Sequence, residues 1–348
     1  MGGNLRRIAD EARVSIATAS RVLSGSDYPV SEVLRQRVLD VAQRLDYVPN
    51  AQARALIRGS TTTVGMLVGE VGDPYFDAMI NGTHRVATEE SLLVTIVETG
   101  RDPHRELECF RLLQSHGAGV IIVAGSGMDD PAYQAGLTAR IRGFPGTTVL
   151  VGRHDGDDDA LRVVADNVEA GRLLGAHLAG LGHERVGVLS GLGPVTSTGD
   201  RLAGLAAGLG REPRVLEVTP TRDGGYSGAG ALLAADPGIT AVVGTADQMA
   251  IGALAYCSDH GIRVPQDVSV AGCNDIWVAR DLTPSLTTVH LPLQEMGAAA
   301  LRLAVAARGG SAGGDGAVDG APATAAFPVD LVVRGSTGPV RGAAPAGP

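Results

Sequence analysis

The stretch LRRIADEARVSIATASRVLSG, residues 5–25, decides how the rest of the chain is read. Within it Leu5, Ile8, Ala9 and Ala12 recur at helical spacing behind Asn4, a residue that favours the N-cap, and this predicts a short amphipathic helix. Arg13-Val14 breaks the period. Ser15 then predicts the cap of a second helix, Ile16 to Leu23, with Ala19, Val22 and Leu23 turned inward and Gly25 just past its end. Further out, Ser31 opens a third segment in which Leu34, Val38, Val41 and Leu45 follow i, i+4, i+7, i+11, and Pro49 stops whatever follows Tyr47. Three short helices sharing an apolar face describe a helix-turn-helix, but also any small bundle, and spacing alone leaves both open.

Charge distribution separates this end of the chain from the remainder. The net charge is −9, yet residues 1–60 hold nine arginines against six acidic residues, so the segment is +3 while the remaining residues carry −12. A polyanion would meet the N-terminal end. All 29 basic residues are arginine. With 348 residues, 44% hydrophobic and 19% charged, the chain predicts more than one globular domain rather than a disordered polymer. No apolar run is long enough to span a membrane, and Asp10, Glu11 and Arg13 interrupt the place where an export signal needs an apolar core, so a cytoplasmic protein is expected. Cys109, Cys257 and Cys273 are odd in number and widely spaced, as buried thiols would be.

Beyond a linker at Ser60 to Thr63 the pattern changes. Short apolar runs at Val64–Val68, Leu92–Val97, Val120–Val123 and Thr148–Val151 alternate with helical patterns, and a second set follows at Arg185–Leu189, Val215–Val218, Ala241–Gly244 and Val268–Ala271. Continuous apolar strands separated by helices predict parallel sheets covered on both faces, here as two similar α/β halves. Ligands of such folds sit beyond the carboxyl ends of the strands.

The residue 5–25 motif, followed by Val30-Ser31, the third helix and Tyr47-Val-Pro-Asn-Ala51, resembles the helix-turn-helix and hinge entry of the lactose repressor (LacI/GalR) family of bacterial regulators. The resemblance continues through Asp73-Pro-Tyr-Phe76, Asp166-Asn167, Gly180-Leu-Gly-His183, Arg201-Leu-Ala-Gly204, Ala246-Asp-Gln-Met-Ala250, Val264-Pro-Gln-Asp-Val-Ser-Val270, Asp275, Thr283-Pro-Ser-Leu-Thr-Thr288 and Val332-Val-Arg-Gly-Ser336. It covers nearly the whole chain. It implies an N-terminal all-α helix-turn-helix domain plus an α/β periplasmic-binding-protein-like domain of two parallel-sheet halves. The expected divisions are 1–49 for DNA binding, 50–62 for a hinge helix and linker, 63–340 for effector binding and dimerisation, and 341–348 as a tail. Half one is expected over about 63–162 and 292–326, and half two over about 163–291 and 327–340. Residues 309–326 and 337–348, rich in Gly, Ala and Pro, read as a loop and a tail, with no heptads for a coiled coil.

By position, the resemblance implies that Ile16, Ala17 and Arg21 face the bases of double-stranded operator DNA. Arg21 can fork onto a guanine edge, and Ile16 and Ala17 offer apolar surface to a thymine methyl. Ser15, Thr18, Ser20, Asn50 and Arg6 are expected on phosphates. In the hinge segment that holds Ala53, Leu56 is the implied minor-groove wedge. The implied protein is a homodimeric transcriptional regulator, most often a repressor, that reads a pseudo-palindromic site and answers to a small sugar-like effector, with no cofactor and no catalysis.

For the effector, the resemblance implies Arg201 first, then Tyr75, Phe76, Tyr226 and Trp277 as stacking or lid surfaces, and Arg153, Ala246 and Asn274. Three positions depart from the family pattern. Ala246-Asp247 stands where Asn-Asp is common, Asn274 replaces an acid, and Gly152-Arg153 replaces Asp-Arg. With sugar-gripping groups thinned, an anionic or less hydroxylated effector competes with a polyol. The rival is a solute-binding protein or sugar-handling enzyme on the same halves, which predicts an export signal or a catalytic constellation, and a regulator without effector response is a third reading. Gly309-Gly-Ser-Ala-Gly313 matches a nucleophile-elbow pattern without its strand-to-helix context, and Asp157-Asp158-Asp159 reads as a solvated loop.

Overall fold

A computed structural model of the chain describes residues 2–24, 29–47, 63–125, 127–156, 160–310 and 324–340. It divides into two compact units, Met1–Thr63 and Val64–Pro348.

Among its described residues the first unit holds three helices, α1 (Gly2–Ala12), α2 (Ile16–Ser24) and α3 (Glu32–Arg44). Their shared core is Ile8, Ala9, Ala12, Ala19, Val22, Val38, Val41 and Ala42. Small residues at the crossing of α1 and α2 let the helices approach closely. The turn between them places Arg13 at φ 54°, and the Val14 amide returns to the Ala9 carbonyl at 2.9 Å, satisfying a carbonyl at the end of α1. Helix α1 starts at Gly2, so Asn4 lies inside the first turn instead of capping it. Ser15 does cap α2, its Oγ accepting the Thr18 amide at 3.0 Å.

Among its described residues the second unit contains the eight strands expected from the apolar runs, with four more. Six strands, β1 (Thr63–Val68), β2 (Leu93–Glu98), β3 (Val120–Val123), β4 (Thr147–Val151), β5 (Leu161–Ala165) and β11 (Thr324–Phe327), form a sheet in the order β11-β5-β4-β3-β1-β2. This is lobe one. Lobe two is a sheet of β6 (Val186–Gly191), β7 (Arg214–Val218), β8 (Ala241–Gly244) and β9 (Ser269–Ala271) in the order β7-β6-β8-β9. Within it, and between β1, β3, β4, β5 and β11, the pairings are parallel, while β10 (Thr288–His290) and β12 (Asp330–Val332) form an antiparallel pair beside β9.

Helices cover both faces of each sheet, as parallel sheets require. In lobe one α4 (Pro74–Glu89) and α11 (Leu293–Gly310) pack on one face, while α5 (Pro103–Ser115) and α6 (Pro131–Arg142) bury Phe110, Leu113, Leu137 and Ile141 on the other. In lobe two α7 (Asn167–Gly180) and α8 (Thr196–Leu209) pack on one face, with α9 (Arg222–Ala235) and α10 (Asp247–Asp259) on the other. Helix α11 thus returns to lobe one. The chain crosses between lobes after β5, after β10 and between β11 and β12.

Two expectations need correction. A boundary at residue 162 cuts β5, which belongs wholly to the lobe-one sheet. Residues 324–326 are not loop, because their backbone pairs with Arg162–Val164, and 337–340 are not tail, because the Val340 amide bonds to the Leu181 carbonyl at 3.1 Å. Asn50, Ala53 and Leu56, the triple aspartate and Ser311–Gly313 of the nucleophile-like pattern lie outside the described residues.

Candidate functional site

Helix α2 presents one surface face. Ser15, Ile16, Ala17 and Arg21 are exposed, Thr18 and Ser20 are half-buried, and Ala19 and Val22 fill the core. Ile16 is 47% exposed, so it is not a core residue. Ser15 and Thr18 share a hydroxyl hydrogen bond of 2.8 Å, which fixes the first turn of the helix. Arg6 is exposed on α1 with no ion pair among the described residues, whereas Arg7 and Arg44 both approach Glu11. Of the side chains named for base contact, Ile16, Ala17 and Arg21 are thus all exposed on α2.

The second site is a cavity of about 370 Å³ at the carboxyl ends of the strands, walled by both lobes. Three lobe-one helices start there with the same device. Asp73, Asp102 and Asp130 each cap a helix whose next residue is proline, their carboxylates accepting the amides of Tyr75, of His104 and Arg105, and of Ala132 and Tyr133. Proline at the first helical position costs no hydrogen bond and pre-sets φ. The Asp73 cap carries Tyr75 and Phe76 onto the wall, their rings edge to face at 5.0 Å, and Asp73 also accepts Arg101 Nη2 at 2.6 Å. Burial pushes the Tyr75 phenol up, so it stays a neutral donor.

From lobe two comes Arg201. Its Nε donates to Asn167 Oδ1 at 2.9 Å and its Nη1 to the Thr245 carbonyl at 2.6 Å, leaving Nη2 without a partner among the described residues. The guanidinium is placed by helix packing. A Cβ on Gly171 would stand 2.1 Å from the Arg201 carbonyl, and one on Gly204 would stand 1.9 Å from the Val168 carbonyl, so α7 and α8 meet backbone to backbone. Asn274 is 5% exposed, sits at φ 123°, and leaves its Oδ1 without a hydrogen bond. A strained backbone and an unsatisfied buried amide on a cavity wall mark a place where a ligand completes the bonding.

Asp247 holds that wall. It is fully buried, accepts Thr288 Oγ1 at 2.6 Å and the Ile276 amide at 2.9 Å, and its own amide bonds to the Cys273 carbonyl. The loop carrying Asn274 is thereby tied to α10 and β10. Burial pushes the Asp247 carboxyl up to about 6, against the pull of those hydrogen bonds.

Of the effector residues named from the sequence, Tyr75, Phe76, Arg201, Ala246 and Asn274 line the cavity, and three do not. Tyr226 donates to Asp259 on the outer helices of lobe two, packed edge-on against Tyr256. Trp277 lies 59% exposed in a short 3-10 helix away from the wall. Arg153 is held by Asp155 and by Asp200 Oδ1 and Oδ2 at 3.0 and 3.1 Å, pairing lobe one to lobe two. The Arg153 carbonyl also accepts Thr196 Oγ1 at 2.7 Å, and the Asp129 amide donates to Pro194 at 2.7 Å. Reading residue by residue missed Asn167, Thr245 and Glu106. For Glu106 a signal existed, since it stands four and seven residues before Phe110 and Leu113, on the inward stripe of α5.

A helix-turn-helix unit followed by a two-lobed domain with a lined interlobe cavity defines a DNA-binding regulator built on a periplasmic-binding-protein-like fold. Residues 4–50 match the model for bacterial regulatory proteins of the lacI family, and residues 176–337 match a periplasmic binding protein-like domain. The HTH-type transcriptional regulator GalR of Escherichia coli (strain K12) is 32% identical over 87% of this chain and 88% of its own length. Among solved structures, a complex of the transcriptional regulator CelR with cellobiose is 27% identical, covers 95% of this chain and 99% of its own, and superposes with a TM-score of 0.69. The lac repressor dimer bound to operator and the anti-inducer ONPF shares the fold at a TM-score of 0.77 and 24% identity, over 95% of this chain and 98% of that one. The chain belongs to the lacI family of bacterial regulatory proteins, and it is a DNA-binding transcriptional regulator, not an enzyme. No helix among the described residues is long and apolar enough to cross a membrane.

Proposed function

We propose that this regulator is a cytoplasmic homodimeric repressor that binds a pseudo-palindromic operator and is controlled by a sugar-like effector held between its lobes. A single twofold protein reads two half-sites most simply, and the lac repressor homologue is a dimer on its operator. On DNA, Arg21, Ile16 and Ala17 read bases, Ser15, Thr18, Ser20, Arg6 and Asn50 bind phosphates, and the Ala53–Leu56 segment enters the minor groove. The observation that carries the effector assignment is Asn274, whose buried Oδ1 lacks a donor on the wall shared with Arg201. A cavity of about 370 Å³ has the size of a small-ligand pocket, and the CelR relative binds cellobiose. Arg153 closes the lobes on each other through Asp200 and is not a ligand contact.

The test is a footprint of the purified protein on DNA upstream of its own gene, with and without mono- and disaccharides that raise its melting temperature. A protected near-palindrome whose protection changes with one of those sugars supports the reading. Protection by a monomer, or protection indifferent to every stabilising sugar, contradicts it.

A further inference from the structure

The lobe-one wall of the cavity carries a carboxyl and a phenol bonded to each other, with no paired cation among the described residues. Glu106 on α5 and Tyr133 in the first turn of α6 both border the cavity, and the Tyr133 phenol donates to Glu106 Oε1. Oε2 has no partner among the described residues. Gly125 faces it, and a Cβ there would stand 3.2 Å away, so the glycine leaves that oxygen open to the cavity.

None of the other described charges around the cavity is paired with Glu106. Arg101 is drawn to Asp73 at 2.6 Å and to Glu70 at 3.7 Å. The Asp102 carboxylate accepts two helix amides, and Arg201 is anchored on lobe two by Asn167 and Thr245. No described arginine pairs with Glu106, and the chain contains no lysine. Burial accordingly pushes the Glu106 carboxyl up to about 7, with the Tyr133 hydrogen bond pulling the other way. A carboxylate in a partly dry wall with one neutral donor is costly to ionise, and a cation brought to it removes that cost. A hydroxyl would satisfy Oε2 but leave the buried charge, whereas an ammonium both donates a hydrogen bond and neutralises the carboxylate.

We propose that Glu106, positioned by Tyr133, binds a protonated amine, and that the effector is an amino sugar whose hydroxyls meet Asn274 and Arg201 on the opposite lobe. This rests on the cavity being the effector site. It assigns the ligand a cationic group, which neither an anionic effector nor a plain polyol has.

The experiment is a thermal-shift titration of the full-length protein with matched pairs: D-glucosamine and D-glucose, D-galactosamine and D-galactose, D-mannosamine and D-mannose. Wild type, Glu106→Gln, Tyr133→Phe and Arg201→Ala are compared. At least one amino sugar is expected to stabilise the wild type at concentrations about tenfold below its parent sugar. Glu106→Gln should erase that preference while folding normally in the same scans, and Tyr133→Phe should reduce it. A wild type that responds to no amino sugar, or equally to parent and amine, overturns the amine assignment, as does a preference that survives in Glu106→Gln. Neutral sugars stabilising wild type and Glu106→Gln alike leave the cavity reading standing. Stabilisation by any of these sugars that is undiminished in Arg201→Ala overturns the cavity reading itself.

Discussion

Arg21 is the side chain on the exposed face of α2 that can place two donors on one guanine edge, while Ile16 and Ala17 offer only apolar surface. Arg21→Ala should therefore cost about 1–3 kcal/mol at the operator and relax one base preference, with little change on random DNA. Binding curves on both DNAs check this, and equal losses on the two remove Arg21 from the base-reading set. In the cavity, Glu106 carries its own stability signature. Its carboxyl stands near 7 in the folded chain against an ordinary 4.5. The folded state thus keeps a proton that the unfolded chain gives up. The stability this contributes is full below about 4.5 and lost as pH rises through about 7. Glu106→Gln, which cannot ionise, should be more stable than wild type by about 1–3 kcal/mol at pH 8, the gap closing toward pH 5. Urea unfolding at the two pH values measures the difference, and a pH-independent gap would show that Glu106 ionises freely.

Elements were legible where a local rule governs them. The helical spacing in residues 5–45 and the eight apolar runs correspond to elements of the fold. The missed strands, β5, β10, β11 and β12, run only three to five residues, too short for a period to stand out. They are held by backbone pairing with segments far away in sequence, as Thr324–Phe327 is by Arg162–Ala165, and no local period announces that. The same limit applies to the site. Tyr75, Arg201 and Asn274 could be placed by motif, but Tyr226 and Trp277 are aromatics whose direction depends on which face of a helix or loop turns inward. The α7–α8 contact makes another element-scale prediction. Because a Cβ on Gly204 would lie 1.9 Å from the Val168 carbonyl, Gly204→Ala must push the helices apart. Overpacking of this kind costs about 1–3 kcal/mol. It also displaces Arg201 one turn away, so Gly204→Ala should weaken effector binding in calorimetry even where the protein remains folded. Unchanged affinity would mean that helix packing does not set the guanidinium position.

At the scale of the whole molecule, the chain keeps its positive charge on the DNA-reading unit and its acidity on the two-lobed unit. Three strand crossings join the lobes, and on the cavity side Arg153–Asp200 and the 127–129 contacts with 194–196 bring them together. A ligand bridging Asn274 and Arg201 to Glu106 contacts both lobes at once, so its affinity depends on how they are disposed. In the proposed dimer the same domain would set the spacing of the DNA-binding units. Effector and operator are then coupled, and the coupling must be reciprocal. Fluorescence anisotropy of labelled operator titrated with the protein, at zero and saturating concentrations of a sugar that stabilises it, tests this directly. A shift in operator affinity of roughly 5- to 150-fold is expected, with affinity for random DNA unchanged. Superimposable operator curves for every stabilising sugar would contradict it.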